Sequence, residues 1–431
     1  MTAHATTASL TVAGWPGLTP RLLRTEPGTE SLAAYTAAGG YRALGDPEGL
    51  LTEVHAAGIL GRGGAAFPLG VKLRTVRTSA LAGWDTVVLA NGEEGEPASI
   101  KDRWLLRHRP HLVLDGLRLA AHIVGARHAH VYLSDPGAAA TITDALAELG
   151  PGGLAGLTVS LRAVDPAYVA GEETAAVRAV NGGPAKPTDK PPRPFLAGIG
   201  GLPTLVSNVE TLANLPYVAQ HGAARYRESG TDASPGTFLC TVTGGGRDAA
   251  LYELPHGVRV ADLLAHRGVP AESVRGALLG GYFAGLVNRE VLEATVDHAG
   301  FTAIGSGLGC GAVSLITAEC PVAVAAAVLE YFGRENAGQC GACFNGTAAM
   351  AAVAVALREQ TAAGEDVDAL RRWSQVLPGR GACGTLDAAT NIAASLLAKF
   401  PAEVAAHLEH ACPDCRPGGY APQRPFEVEA Q

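Results

Sequence analysis

Cys340 and Cys343 lie three residues apart at the start of an expected helix, and Cys383 follows forty residues later at the start of another. Thiolates at this spacing share one helical face and can reach a single metal centre, with a third ligand from a neighbouring helix. Four readings fit the pattern: an iron–sulfur cluster, a zinc site, a redox dithiol, or buried cysteines without chemistry. A second pair, Cys412-Pro413-Asp414-Cys415, stands close to the C-terminus and outside any expected core. It suits a metal-ligand pair or an exposed dithiol.

A different chemistry is suggested by Gly61-Arg62-Gly63-Gly64-Ala65-Ala66-Phe67-Pro68-Leu69-Gly70-Val71-Lys72. Glycine accepts φ > 0 and has no Cβ, so such a loop can fold closely around an anion and point successive N–H groups at a phosphate. Phe67 adds a flat ring and Lys72 a point charge. The plainer alternative is a tight turn before a helix, and 55 glycines in 431 residues weaken the signal of the loop taken alone. Glu93, Glu94 and Glu96, and then Glu172 and Glu173, follow two separate expected strands. Carboxylates there can accept hydrogen bonds from ribose hydroxyls or a flavin edge, or simply be solvated loop ends. Lys101-Asp102-Arg103 reads as an ion-pair set at a helix start. His128 and His130 share one strand face but have no ligating partner close by in sequence.

Composition bounds the function. The chain carries 33 Lys plus Arg against 41 Asp plus Glu, a formal charge of -8, and no long basic run, which argues against a nucleic-acid or anionic-membrane surface. A hydrophobic content of 47% suits a globular chain of several domains. The N-terminal residues show no basic and apolar pattern of a secretory signal, and the longest apolar run, residues 321 to 329, falls short of the roughly 18 residues a membrane span needs. The expectation is a soluble, cytoplasmic protein. Eight cysteines in so long a chain are too few for a disulfide scaffold.

The elements that must position these residues follow from periodicity. A helix over 47–60 leads into the glycine loop, unlike the dinucleotide fingerprint, in which a strand precedes the glycines. Strands are expected at 86–90, 130–133 and 157–164, alternating with helices at 111–124 and 137–149, which is an α/β pattern. Residues 181–203 have no regular period and read as an ordered loop over a site, with Phe195 in it. Residues 207–216 read as an apolar helix. Beyond a boundary near 230–236, strands at 237–244, 277–281 and 285–287 surround a helix at 261–267. From Cys320 onward, helices at 321–332, 346–359, 366–376 and 387–409 suggest a four-helix bundle.

Four stretches in order resemble one family, the NADH-binding flavoprotein subunit of respiratory complex I and its relatives in bidirectional hydrogenases and NAD-linked formate dehydrogenases. GRGGAAFPLGVK is similar to that family's GRGGAGFPTG-x-K, NGEEGEPASIKDR to N-x-[DE]-E-x-EPG-x-x-KDR, YVAGEETA to YICGEETA, and GLPTLVSNVETLANLP to GLPT-x-x-NNVETL-x-N-x-P. The resemblance spans about residues 45 to 400. It implies an FMN-binding α/β domain over 1–232, a small β-grasp domain of the SLBB type over 233–318, a helical bundle holding a [4Fe-4S] cluster over 319–410, and a Cys-containing tail over 411–431. It places FMN on Gly61, Gly63, Gly64, Lys72, Asn91, Glu93, Gly171, Glu172, Glu173, Asn208 and Thr211. NADH falls to Phe67, Glu96, Glu173 and Phe195, and the cluster to Cys340, Cys343 and Cys383. The implied activity is oxidation of NADH, with single electrons passing through the cluster to a ferredoxin-like or other electron-transfer subunit. A second reading keeps the flavin domain as a non-catalytic scaffold that docks electron-transfer partners.

Three departures from the family pattern stand out. Ala337 occupies the position of the first cluster cysteine, which leaves a cluster with three cysteines and an exchangeable ligand, one completed by Cys412 or Cys415, or none. Thr75 replaces an aromatic beside the adenine. Ser207 replaces the first of two asparagines.

Overall fold

Short apolar strands alternating with amphipathic helices produce, in the computed structural model, a four-stranded sheet in the order Thr158–Ala163, His128–Leu133, Val87–Asn91, Thr204–Asn208. Residues 10–24, 26–415 and 423–429 are described. All neighbouring strands of this sheet run parallel, with Val87 opposite His128 on one side and Thr204 on the other. Strands Val87–Asn91 and Thr204–Asn208 are buried on both faces up to their last residue, as parallel strands covered by helices are. Helix Pro110–Val124 is almost entirely buried beneath the sheet, and Gly116 lets helix Val209–Ala213 pack closely on it: a Cβ at Gly116 would lie 2.1 Å from the Leu212 carbonyl oxygen.

The chain enters the sheet at Val87–Asn91, builds outward through the next two strands, and then crosses back to add Thr204–Asn208 on the other side. The order therefore reverses between these two strands, and their carboxyl ends open a crevice of the kind that binds ligands in open α/β sheets. Residues 204–208 form this strand, not the first turn of the helix expected over 207–216. Helix begins at Val209, continues to Ala213 and is followed by Leu215–Tyr226. Five residues are too few to display a period, and burial on both faces removes the alternation that marks a strand.

A second sheet has the order Thr11–Gly14, Ala250–Pro255, Thr237–Gly244, Ala312–Ile316, Gly276–Leu279, Leu286–Val287, mixing parallel and antiparallel pairs, with helix Val260–Arg267 contributing to its core. Thr11–Gly14 reaches it from the chain's N-terminal stretch and pairs in parallel with residues 250–253. The buried Glu253 carboxylate accepts the Arg21, Leu22 and Leu23 amides at 2.9–3.0 Å and anchors that excursion.

The C-terminal part is helical: Pro321–Glu335, Gly341–Arg358, Gly364–Val376, Thr385–Lys399 and Pro401–Leu408. The single helix expected over 387–409 is broken at Pro401, which has no N–H for the ladder and pushes Phe400 out of helical conformation, at φ -132° and ψ 46°. Gly341–Arg358 has the length and composition of a membrane-crossing helix but packs against Pro321–Glu335 and Thr385–Lys399 within the bundle.

Candidate functional site

The glycine loop is a closed Ω-shaped excursion between two helices. Asp46 caps helix Pro47–Ala57 by accepting the Gly49 amide, and Gly58 ends it in the left-handed region. The neck is then pinned by the Gly61 amide donating to the Phe67 carbonyl at 3.0 Å and the Leu69 amide to the Ile59 carbonyl at 2.9 Å. Close approach favours glycine at 61 and 63, because a Cβ would lie 3.1 Å from the Phe67 carbonyl oxygen at the first and 3.3 Å from Asn208 Cβ at the second. Gly64 takes φ +108°.

The loop is held against the switch point by a buried ionic network. The Arg62 amide donates to Thr211 Oγ1 at 2.8 Å, and its guanidinium donates to the Thr237 carbonyl at 3.1 Å. Glu210 lies 3.9 Å from Arg62 and 3.0 Å from Lys101 Nζ, and Lys101 pairs with Asp102 at 2.7 Å. Asn208 Nδ2 donates to Asp102 Oδ2 at 2.7 Å, and the Leu239 amide donates to Glu210 at 2.9 Å. Burial disfavours the Lys101 ammonium, yet Asp102, Glu210 and Glu94 hold its pKa above the ordinary lysine value. Lys101-Asp102, expected as part of an ion-pair set at a helix start, is thus a buried pair that also engages Glu210 and ties the two sheets together.

Above this scaffold lies a cavity of about 750 Å³, large enough for a flavin mononucleotide. It is lined by Gly61, Gly63, Phe67, Lys72, Asn91, Gly171, Glu172, Glu173, Phe195, Asn208 and Thr211, drawn from all four sequence motifs and the 181–203 loop. Thr75 and Ser207, the two substituted positions, also line it. Gly64 and Glu93 do not. Glu93 is buried nearby, its oxygens in no well-formed hydrogen bond; burial pushes its carboxyl up to about 7, with Ser134 and the Ala167 amide opposing. Glu96 lies apart, beside a second cavity with Glu94, Tyr168 and Tyr331, and burial raises it to about 8.

Two cations that motif reasoning passed over, Lys190 and Arg193, line the main cavity as well. Lys190 Nζ pairs with Glu172 at 2.6 Å, and Arg193 lies 3.8 Å from Glu173. Their clustering around Phe195 in an aperiodic loop was the available signal. Lys72 donates to the Val206 carbonyl at 3.2 Å; burial lowers its pKa, Glu173 opposing and Lys190 and Arg193 adding to the fall. Three cations against two acids leave an excess positive charge that suits a phosphate.

A smaller cavity is ringed by Cys340, Cys343, Cys383, Ala337 and Pro187. Cys340 immediately precedes helix Gly341–Arg358, and Cys383 sits two residues before helix Thr385–Lys399. Helix N-termini favour thiolates. Burial raises the Cys343 thiol to about 12, and Cys383 and Cys340 add to the rise. The donor set fits an iron–sulfur cluster at three corners. Ala337 offers no ligand at the fourth, and its carbonyl accepts from Lys186 Nζ at 2.9 Å. Cys412 and Cys415 do not line this cavity. They lie with Cys320 and His407, and Cys415 is buried, contrary to the expectation of a pair outside the core.

Residues 54–217 match the family described as the Nuo51 FMN-binding domain, and residues 323–407 match the NADH-ubiquinone oxidoreductase-F iron-sulfur binding region. The chain is 34% identical over 420 residues to the second F subunit of NADH-quinone oxidoreductase from Rhizobium meliloti (strain 1021), covering 91% of this chain and 99% of that one. It belongs to the F-subunit family of NADH-quinone oxidoreductases. The F subunit of Mycobacterium bovis is 30% identical, covering 86% of this chain and 88% of its own length. Among solved structures, an NAD+-reducing [NiFe]-hydrogenase in the H2-reduced state superposes with a TM-score of 0.76 at 30% identity, and the air-oxidised state with 0.77 at 29%. The superpositions cover 84% and 89% of this chain and 63% and 65% of the hydrogenase chains, which extend well beyond the part they share with it.

Proposed function

We propose that this chain is an NADH-oxidising FMN flavoprotein that passes electrons singly through an iron–sulfur cluster to a ferredoxin-like or other electron-transfer subunit, in the cytoplasm. The observation that carries the reading is one segment serving both cavities. Pro187 lines the thiol cavity, and Lys190, Arg193 and Phe195 line the larger one. An extended chain spans at most ~3.3–3.6 Å per residue, so Pro187 and Lys190 stand within about 11 Å of each other. A bound flavin supplies the conversion between hydride and single-electron chemistry, which no side chain here can perform.

The residues hold and orient. Lys72, Lys190 and Arg193 provide positive charge for phosphate, and the glycines at 61, 63 and 64 let backbone amides approach it. Asn91, Glu172 and Glu173 offer acceptors for ribityl or ribose hydroxyls, Gly171, Asn208 and Thr211 complete the wall, and Glu93 lies buried close by. Phe67, 48% exposed, and Phe195 give flat faces for the dinucleotide. Cys340, Cys343 and Cys383 supply three cluster ligands, with the Ala337 corner left to an exchangeable ligand. The second sheet with helix Val260–Arg267 is read as an SLBB-type β-grasp unit over 233–318, completed by the Thr11–Gly14 edge strand. It stands between a flavin domain over 1–232 and a cluster domain over 319–410.

The test is anaerobic addition of NADH to the full chain loaded with FMN. Bleaching of the flavin absorption is expected. A chain that takes up no FMN on reconstitution, or whose flavin ignores NADH, would leave only the scaffold reading.

A further inference from the structure

Cys320, His407, Cys412 and Cys415 converge so that their ligand atoms all lie within 4.8 Å of one another. We infer that they form a structural site for one zinc ion, separate from the Cys340–Cys343–Cys383 cavity and independent of the flavin reading. Zinc with Zn–S near 2.3 Å and Zn–N near 2.0 Å in a tetrahedron sets ligand atoms about 3.5–3.8 Å apart. Cys320 Sγ and His407 Nε2 are 3.7 Å apart. A cluster of several irons needs ligands spread around a larger body, so the tight convergence selects a single ion.

The surroundings are those of a closed site. The Glu403 carbonyl lies 2.7 Å from His407 Nδ1, which places the proton there and leaves the Nε2 lone pair facing the three sulfurs. Cys320, His407 and Cys415 are buried. The Cys412–Cys415 turn is clamped by Gln360, whose Oε1 accepts the Cys412 amide at 3.3 Å and whose Nε2 donates to the Cys415 carbonyl at 2.6 Å. Arg275 pairs with Asp414 at 2.7 Å. Four protein ligands leave no open position for substrate, which defines a structural role.

The ion would join three parts of the fold: the start of helix Pro321–Glu335, the end of helix Pro401–Leu408, and the tail. In the same tail, the Val428 amide donates to the Pro97 carbonyl at 3.0 Å and Arg103 donates to the Val428 carbonyl at 3.1 Å. Val428 therefore seats on the segment that runs from Asn91, in the wall of the larger cavity, to Arg103.

Zinc, iron and flavin would be counted in the full chain, purified anaerobically without metal-affinity resin. One tightly bound zinc per chain is expected, and the Cys412→Ser plus Cys415→Ser double variant should lose it while keeping its iron and flavin content. Chain produced in cobalt medium should show the intense visible bands and sulfur-to-cobalt charge transfer of a tetrahedral Co(II) thiolate site. The cobalt spectrum of the unaltered chain decides the matter if the double variant does not fold. Native chain without bound zinc and without that spectrum, zinc retained by the double variant, or a Cys412–Cys415 disulfide in anaerobic protein would each overturn the assignment.

Discussion

Asn208 stands directly opposite Asn91 at the carboxyl ends of two neighbouring parallel strands, and its Nδ2 donates to Asp102 at 2.7 Å. One amide thus ties the switch point of the sheet to the buried Lys101–Asp102–Glu210 network. Asn208→Leu would leave an Asp102 carboxylate oxygen without this donor in the interior. A loss of about 1–3 kcal/mol in urea unfolding of the FMN-free chain is expected, together with weaker FMN binding measured by quenching of flavin fluorescence. Unchanged stability would remove the network from its scaffolding role.

Lys72 is the most enclosed of the three cavity cations, and the proposed site uses it for phosphate. Lys72→Met should therefore weaken FMN far more than riboflavin, which lacks the phosphate. An interaction worth about 1.4 kcal/mol appears as a tenfold change in Kd. Titrations of both ligands into wild type and variant give the ratio, and equal losses for the two would place the phosphate elsewhere.

Glu93 predicts a pH dependence. Its carboxyl is raised to about 7 by burial, Glu94 adding and Arg103 opposing, whereas the unfolded chain has an ordinary carboxyl near ~4.3. The folded state therefore binds more protons between these values, and the contribution to stability is present below the lower one and lost as pH rises through the higher. Between pH 4.5 and 7.5 the FMN-free wild type should lose on the order of 2–3 kcal/mol relative to Glu93→Gln. Parallel denaturant curves for the two proteins would diverge with rising pH; curves that stay parallel would show that the carboxyl titrates normally.

Ala337 stands in the thiol cavity beside three cysteines, Cys340, Cys343 and Cys383. Ala337→Cys should raise iron and acid-labile sulfide retained after exposure to air, while Cys383→Ser should lower both and leave flavin content unchanged. Equal, near-zero iron in all three proteins would show that the cavity holds no cluster.

Much of the site was legible in the linear chain because its chemistry depends on local backbone shape. Gly61, Gly63 and Gly64 announce a loop that favours glycine, and Cys340 and Cys343 announce two thiols at the start of a helix, before any fold is known. Less legible were groups whose roles depend on who sits opposite. Lys101-Asp102 reads as a local ion pair at a helix start until Glu210 arrives from a distant motif, and Thr204–Asn208 is too short and too buried to show a period.

By itself, then, the sequence determined the four motifs, their order, the absence of a cysteine at 337 and the α/β-to-helical progression, because each is written in residue type and short-range spacing. Only tertiary structure decided that the motifs meet at one switch point, that Lys190 and Arg193 join them, and that Cys412 and Cys415 turn away from the cluster cavity toward Cys320 and His407. Those outcomes rest on contacts between residues tens to hundreds of positions apart. Such contacts are set by how strands order and helices pack, and no local pattern encodes them.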